Sequence, residues 1–213
     1  MTESDEAVRV AVIDYGMGNL RSVEKMAARC GANAVVSSDP ETLDWADKLI
    51  LPGVGAFSDA MDQLCARNLV EPLNEMVLRQ GKPILGICLG MELMAASSEE
   101  GRQTEGLGWL DAKMVGFDTA QGIRVPHVGW NTVNVVGDCG LFSDIDDGAV
   151  FYFVHSYYMV CADPQTVVAT TDYGNPFTAA VARDNIWGTQ FHPEKSQLNG
   201  SIALANFILG EKR

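Results

Sequence analysis

The sequence predicts an α/β protein in which helices cover both faces of a mostly parallel central sheet, with antiparallel hairpins in its second half. Two observations support this prediction. In the first half, short apolar runs alternate with segments whose apolar residues recur at helical spacing, which is the rhythm of successive β-α-β units. In the second half, stretches rich in β-branched and aromatic residues are separated only by turn residues, as hairpin strands are.

The first half divides into alternating strands and helices. Residues 8–14, 34–36, 48–51 and 83–87 are short apolar runs and are predicted to be buried parallel strands. Residues 19–29, 58–66, 70–80 and 89–97 carry apolar residues at helical spacing and are predicted helices. Gly31 is a suitable residue to end the first helix, because glycine readily adopts the left-handed conformation that comes after a helix.

The second half is predicted to consist mainly of strands. These cover residues 125–136, 149–160, 166–171, 177–182 and 186–191, and an amphipathic helix over residues 201–209 comes after them. The sequence contains no internal repeat, low-complexity tract or linker-like stretch. We therefore expect one domain spanning residues 1–213.

Composition and charge exclude several classes of function. The chain has 15 Lys and Arg residues against 28 Asp and Glu, a net charge of −13 that disfavours nucleic acids and anionic membranes as partners. Its first residues are acidic and polar, unlike a signal peptide, and no apolar run approaches the ~18 residues of a membrane span. We therefore expect a cytoplasmic protein. The five cysteines show no CxxC spacing, which argues against a disulfide framework and a structural metal site.

Cys88 is the candidate nucleophile. The motif Gly86-Ile87-Cys88-Leu89-Gly90 joins a predicted strand to a predicted helix, and the two glycines permit the crowded turn that exposes a side chain at its apex. The sulfur would then lie at a helix N-terminus, where the helix dipole favours the thiolate. The backbone N–H of Leu89 would point toward a developing oxyanion.

Three histidines are candidates for the base that this nucleophile needs. His192 comes directly after a predicted strand, and in extended chain Glu194 projects from the same side and could orient the imidazole. His155 is the second candidate, although it has no carboxylate near it in sequence. His127 is interpreted as a surface or interface residue. The sequence therefore favours a triad of Cys88, His192 and Glu194.

These residues carry a resemblance to a known family. The pentapeptide around Cys88 together with His192-Pro193-Glu194 resembles the class I, or triad, glutamine amidotransferases, which implies their flavodoxin-like fold. Other segments, spread over nearly the whole chain, are similar to the glutaminase subunits of imidazole glycerol phosphate synthase. These segments are residues 15–20, 52–55, 106–109, 126–131, 151–157 and 192–196.

The resemblance implies a reaction and a role for each triad member. Cys88 would attack the carboxamide of glutamine, His192 would act as base and then as acid, and Glu194 would orient His192. The products would be glutamate and ammonia, with no metal or organic cofactor.

The resemblance also implies an oxyanion hole and a glutamine site. Leu89 would supply one N–H to the oxyanion, and the region of Gly53 and Val54 would supply the second after a peptide rearrangement triggered from the partner. The residues that would hold the amino-acid end of glutamine are Glu100, Ser156 and Tyr157.

A partner subunit is implied as well. It would be a (β/α)₈ barrel cyclase, forming a heterodimer with this chain and using the ammonia to make imidazole glycerol phosphate and aminoimidazole carboxamide ribonucleotide in histidine biosynthesis. Its substrate would be a phosphoribulosyl-formimino aminoimidazole carboxamide nucleotide. The residues implied to face this partner are Asn19, Trp130 and Lys195.

The sequence departs from the family pattern at Glu92, a predicted substrate-contacting residue. Triad amidotransferases commonly have Gly-Met-Gln after the nucleophile, whereas this chain has Gly90-Met91-Glu92. An ionised carboxylate only accepts hydrogen bonds, and its charge would raise the pKa of a nearby thiol.

Three other functions remain open from the sequence. The chain could serve a different synthase, such as that of pyridoxal phosphate or anthranilate, it could be a non-catalytic regulatory homologue, or it could be another kind of cysteine hydrolase. The turn at Gly16 and Gly18 also resembles part of a dinucleotide-binding motif, but Arg21 stands where the third glycine is needed, so that interpretation is rejected.

Overall fold

A computed structural model describes residues 7–119, 122–137 and 139–210 of the chain. The first half alternates strands and helices, as predicted. Its elements are β1 (Arg9–Ile13), α1 (Leu20–Arg29), β2 (Asn33–Ser37), α2 (Pro40–Trp45), β3 (Lys48–Gly53), α3 (Phe57–Ala66), α4 (Val70–Asn74) continued by a π-helical turn (Glu75–Arg79), β4 (Ile84–Cys88) and α5 (Leu89–Glu92).

The second half consists mainly of strands and closes with a helix. Its elements are β5 (Ser97–Ser98), β6 (Thr104–Glu105), β7 (Ala112–Gly116), β8 (His127–Thr132), β9 (Asn134–Val135), β10 (Val150–His155), β11 (Tyr157–Cys161), β12 (Val167–Tyr173), β13 (Asn175–Arg183), β14 (Ile186–Thr189) and α6 (Gln197–Leu209). Among the described residues, no helix is both long and apolar enough to cross a membrane.

The central sheet has the order β2-β1-β3-β4-β14-β13-β12-β9. The neighbours from β2 to β14 pair in parallel, and β13, β12 and β9 extend the sheet by antiparallel pairing. The predicted fold class, a mostly parallel sheet with antiparallel hairpins in the second half, is confirmed. The order also places β4 and β14 side by side, so the segments that leave their carboxyl ends meet at one edge of the sheet.

The core lies on both faces of this sheet, as the predicted helix placement requires. Because side chains alternate along a strand, Val10 of β1 packs on one face and Ala11 on the other. On the first face, α1 contributes Val23 and α6 contributes Leu204. On the second face, α3 contributes Phe57, and all five residues are fully buried.

Several predicted helix boundaries are wrong. The helix after Cys88 ends at Glu92 and not near residue 97, because Ser97 and Ser98 pair with β7 in a second sheet, and that pairing overrides the local helical spacing. The last helix begins at Gln197 rather than at residue 201. Helix α2 was not predicted, although Asp39 caps it by accepting a hydrogen bond from its backbone.

Two predicted strands are each divided between different sheets. Residues 125–136 contain β8, which pairs with β10, and β9, which joins β12 at the end of the central sheet. Residues 149–160 contain β10 and β11, with a bend at Ser156 between them, and β11 pairs with β7 in the second sheet, which also contains β5 and β6. Both segments have high β-propensity along their whole length, so the sequence predicts one strand in each. Only pairing with distant strands divides each segment into two.

Candidate active site

Cys88 lies at the end of β4, where the chain turns into α5. Its φ of +53° is unusual for a residue with a side chain and marks a strained turn. Crowding explains the flanking glycines. A Cβ on Gly86 would lie 2.6 Å from the Met91 nitrogen, and one on Gly90 would overlap the Leu51 carbonyl.

The predicted oxyanion residues lie next to this turn. Gly53 ends β3 and pairs with Cys88 in the parallel register, which puts it directly beside the sulfur-bearing residue. A Cβ on Gly53 would lie 2.5 Å from the Tyr15 hydroxyl and 2.8 Å from the Leu89 Cβ, so the backbone here is closely surrounded. Val54 is 41% exposed and lines the cavity in front of Cys88.

His192 comes shortly after β14, the neighbour of β4, and therefore enters the same region as Cys88. Its Nδ1 lies 2.9 Å from Glu194 Oε1, and both side chains are about 1% exposed. Asn19 donates to the same carboxylate oxygen at 3.3 Å. Burial raises the pKa of Glu194, but the hydrogen bond and charge of His192 outweigh burial and lower it below its ordinary value. Glu194 is therefore a carboxylate able to hold the imidazole.

The Cys88 thiol is protonated at rest. The Cys88 thiol donates a hydrogen bond to the Val154 carbonyl oxygen at 3.8 Å, and Gln190 Nε2 donates to Sγ at 3.9 Å. Burial raises the thiol pKa well above 9, ionisation of Glu92 raises it further, and the Leu89 N–H lowers it by less. The Leu89 N–H at the start of α5 favours the thiolate, as expected of a helix N-terminus, but burial has the larger effect on the thiol pKa in the resting protein.

Glu92 lies within the site but is bonded to the protein. Its Oε1 accepts a hydrogen bond of 2.7 Å from Gln190 Nε2, and the side chain is buried. Burial raises the pKa of Glu92 to about 8, and the charge of Glu100 raises it while the Gln190 bond lowers it. At neutral pH the group is therefore mostly protonated, so the ionised Glu92 considered from the sequence is the minor form.

A cavity of about 370 Å³ opens in front of the thiol. Glu100 lines it and is held by the backbone N–H of Phe57, which donates to Oε2 at 2.7 Å. Ser156 and Tyr157 form part of its wall at the bend between β10 and β11. The residues expected to contact glutamine are thus gathered around one cavity. A larger cavity of about 530 Å³ near Trp187 has no histidine or carboxylate among its described lining residues.

The other two histidines occupy positions that the sequence did not indicate. His127 was interpreted as a surface or interface residue, but in this chain it is only 3% exposed, and its ring stacks on Tyr173 with centroids 4.0 Å apart. His155 lines the cavity, yet both its ring nitrogens are engaged. Nε2 lies 3.0 Å from His127 Nδ1, and Nδ1 lies 2.8 Å from the Tyr157 carbonyl. Neither ring has a nitrogen free to take the thiol proton.

The residues expected to face a partner lie near one another at the edge of the site. Trp130 is 48% exposed and meets Tyr152 edge-on, with centroids 5.9 Å apart. Lys195 lines the cavity and places Nζ 5.6 Å from the centre of the same tyrosine ring. Asn19 instead directs its amide at Glu194, which connects the first βα turn to the triad.

Gln190 is the main site residue that the sequence analysis missed. It stands two positions before His192, so the alternation of extended chain could have indicated that both face the same side. The contact of Val154 with the thiol had no such signal, because it depends on how β10 is positioned by β8. Within the described residues, no cluster of side chains suited to a metal ion is found.

Comparison with known proteins assigns this chain to a class. The profile of the family described as Glutamine amidotransferase class-I matches residues 11–209. The chain belongs to this family. Its relatives include imidazole glycerol phosphate synthase subunits HisH, and its similarity to them is high enough to place it in that group of synthase subunits.

These relatives match over nearly their whole length. HisH 2 of Methanococcus maripaludis is 47% identical over 199 residues, which are 93% of this chain and 98% of that protein. HisH of Syntrophotalea carbinolica is 48% identical, again covering 93% and 98%. HisH of Synechococcus elongatus is 48% identical, covering 94% and 92%. As subunits of a synthase, these proteins have a partner subunit.

Solved structures share the fold at lower sequence identity. PurLQS from Thermotoga maritima superposes with a TM-score of 0.71 at 20% identity, covering 96% of this chain and 98% of that one. A glutamine amidotransferase from the same organism gives a TM-score of 0.64 at 20% identity, covering 89% and 77%.

Proposed function

We propose that this chain is the glutaminase subunit of an imidazole glycerol phosphate synthase. It hydrolyses glutamine to glutamate and ammonia, and the ammonia passes to a cyclase subunit that makes imidazole glycerol phosphate and aminoimidazole carboxamide ribonucleotide. The observation that carries the proposal is that Cys88 lines the cavity at the end of β4, while the hydrogen-bonded pair of His192 and Glu194 follows the neighbouring strand β14. The HisH relatives support the choice of synthase.

The geometry supports a covalent mechanism in which His192 takes the proton of Cys88 and then passes it to the leaving ammonia. His192 Nε2 is buried without a hydrogen-bond partner among the described residues, so it is available to take the Cys88 proton. The thiolate then adds to the carboxamide carbon, and the imidazolium, stabilised by Glu194, protonates the departing ammonia. Water adds to the resulting thioester, which releases glutamate and regenerates the thiol.

We propose that the oxyanion is held by the N–H of Leu89 and by the peptide of Gly53 and Val54. The Leu89 N–H already interacts with the sulfur and lowers the thiol pKa. Gly53 lies beside Cys88 in the adjacent strand. Two backbone donors on either side of the nucleophile are the arrangement that stabilises a tetrahedral intermediate.

The resting thiol supports partner-dependent activity. Because burial raises the thiol pKa and Sγ is directed at the Val154 carbonyl, the chain alone holds a poor nucleophile. We propose that the partner is a (β/α)₈ barrel cyclase which docks beside Trp130 and Lys195 and improves the geometry of the site. A cytoplasmic location, expected from the sequence, stays a prediction.

The test is glutamate release from glutamine by this chain alone, and by this chain with the cyclase and its nucleotide substrate. We expect low activity alone and a large increase in the complex. Equal rates would mean that the amidotransferase chemistry is right and the partner is wrong. No glutamate in either case would support a non-catalytic regulatory homologue.

The nucleophile is tested separately in the same complex. We expect Cys88→Ala to abolish glutamine-dependent synthesis, because no other thiol lines the cavity among the described residues. Synthesis from added ammonia, which needs only the cyclase, should continue at the wild-type rate. Loss of both activities would show that Cys88 has a structural role.

A further inference from the structure

A chain of hydrogen-bonded side chains runs from β8 to the glutamine cavity, and the triad uses none of it. Asn131 Nδ2 lies 3.3 Å from His127 Nε2, and His127 Nδ1 lies 3.0 Å from His155 Nε2. His155 Nδ1 lies 2.8 Å from the Tyr157 carbonyl oxygen. Both rings are buried, at 3% and 6% exposure, so these contacts are shielded from water.

The direction of the hydrogen bonds is set at the Asn131 end. The amide oxygen of Asn131 accepts from the Thr132 backbone N–H at 2.8 Å, and its nitrogen donates to the Asp172 carbonyl at 2.9 Å. The amide is therefore oriented with its nitrogen toward the rings. Its second N–H meets His127 Nε2, which must then carry a lone pair.

The contact with Tyr157, at the other end of the chain of hydrogen bonds, requires the same donor and acceptor assignment. A carbonyl can only accept, so His155 Nδ1 must carry a proton. Burial lowers the pKa of His155 to about 3 and that of His127 to about 4, so both rings are neutral at pH 7 and hold one proton each. His155 Nε2 is then a lone pair, and His127 Nδ1 donates to it. Both ends select the Nδ1–H tautomer for both rings.

The chain of bonds ends on the backbone that walls the cavity. Ser156 is the bend at which the polypeptide leaves β10 and enters β11, in a different group of strands. The His155 ring bonds to the carbonyl two residues further on and so closes this bend. Ser156 and Tyr157 line the cavity that contains Cys88, and the Val154 carbonyl just before the bend contacts the thiol.

We propose that His155 is a positioning residue for glutamine binding, and that Asn131 and His127 act through it by holding its ring in the Nδ1–H tautomer. This inference rests on the proposed function, since it assigns the cavity to glutamine. Without the Nδ1–H donor, the Tyr157 carbonyl loses its partner and the bend loses a constraint. Because these side chains touch no reacting atom, the loss falls on KM for glutamine and leaves kcat nearly unchanged.

The first test is direct and needs no activity. The full chain, labelled with ¹⁵N-histidine, contains three histidines, so a long-range ¹H–¹⁵N spectrum can be assigned by comparison with His155→Phe and His127→Phe. We expect neutral Nδ1–H tautomers for His127 and His155 from pH 6 to 8. An Nε2–H tautomer in either ring, or a charged ring within this range, would overturn the proposal.

The second test uses the complex with the cyclase. We expect His155→Phe to raise KM for glutamine about tenfold, the effect of one lost hydrogen bond, with kcat within about threefold of wild type. Asn131→Ala should raise KM about threefold, because it acts only through the tautomer of His155. Synthesis from added ammonia reports that each variant is folded and docked.

The double variant separates a shared mechanism from two structural effects. If Asn131 acts through His155, Asn131→Ala adds nothing to KM in the His155→Phe background. The matched control is Asn134→Ala, an exposed position on β9, which should leave KM unchanged. Additive increases in KM, or a fall in kcat at constant KM, would contradict the proposal. A wild-type complex that releases no glutamate would refute the proposed function, and the tautomer measurement would still decide the hydrogen-bond chain.

Discussion

At the scale of single residues, Glu92 is where the sequence departs from the Gly-Met-Gln pattern that its resemblance to triad amidotransferases implies. The structure shows a buried carboxyl that shares Gln190 with the Cys88 sulfur. Protonated, it is neutral like glutamine and keeps its hydrogen bond. Ionised, it places a negative charge beside the nucleophile and opposes the thiolate. The consequence of the substitution therefore depends on pH.

We predict that Glu92→Gln changes how activity depends on pH. The pKa of Glu92 is raised to about 8, so above this pH the wild-type carboxylate disfavours formation of the Cys88 thiolate, whereas the amide does not. The ratio of kcat/KM, variant over wild type, should rise between pH 7 and pH 9 by roughly threefold or more. A ratio that is constant across this range would contradict the prediction. Glu99→Gln, an exposed change nearby, is the control.

Glu92→Gln should also make the folded protein more stable at high pH. The pKa of Glu92 in the folded protein, about 8, exceeds the ordinary 4.5. The contribution of protonated Glu92 to the free energy of unfolding is therefore fully present below pH 4.5 and is lost as pH rises toward 8. Glu92→Gln should therefore raise the free energy of unfolding at pH 8.5 by about 4–5 kcal/mol and have little effect at pH 4.5. Denaturant titrations at the two pH values measure this, and an equal effect at both would disprove it.

At the scale of elements, the turn from β4 to α5 carries Cys88, the proposed nucleophile. Its conformation depends on close approach of backbone to backbone, which glycine alone permits at positions 86 and 90. The strained φ of Cys88 persists because the parallel strands on both sides of β4 hold the turn in place.

Gly90→Ala is expected to disturb this turn severely. The added methyl would overlap the Leu51 carbonyl, which is backbone in β3 and cannot rotate away. We expect a loss of about 2–3 kcal/mol in unfolding free energy and a fall in kcat for glutamine hydrolysis, since Cys88 must shift. Gly116→Ala is the matched control, because its nearest contact would be 3.5 Å from the new Cβ. Equal stability of the two variants in thermal unfolding would contradict this account.

At the scale of the whole molecule, the site is coupled to the surface proposed to meet the cyclase. Tyr152 connects the two, because Trp130 packs against one side of it and Lys195 lies over its ring. The backbone N–H of His192 donates to the Tyr152 carbonyl, so the same residue also positions the triad histidine. A shift of this surface on docking would therefore reach His192, the proposed catalytic base, directly.

Lys195→Ala tests this coupling. We expect the variant complex to release at least about twice as much glutamate per molecule of synthase product as the wild type. KM for glutamine should change less, because Lys195 lines the edge of the cavity and directs its Nζ at the Tyr152 ring. Parallel measurement of glutamate and product at saturating glutamine gives this ratio. An unchanged ratio would refute the prediction. Lys113→Ala, an exposed change on β7, serves as the control.

The sequence by itself determined the features that depend on local chemistry. Apolar runs and helical spacing indicated the parallel strands, and Gly-x-Cys-x-Gly indicated the nucleophile turn, because both patterns are set by neighbours along the chain. The carboxylate two positions after His192 could be recognised for the same reason.

Only the tertiary structure decided the rest. The division of residues 149–160 between two groups of strands, the burial of His127 and the contact of Gln190 with Glu92 all join segments far apart in sequence. The protonation of Glu92 and of the Cys88 thiol was decided in the same way, because desolvation depends on which distant segments cover a group. Such contacts leave no periodic signal in a single chain, so the pattern of residues cannot report them.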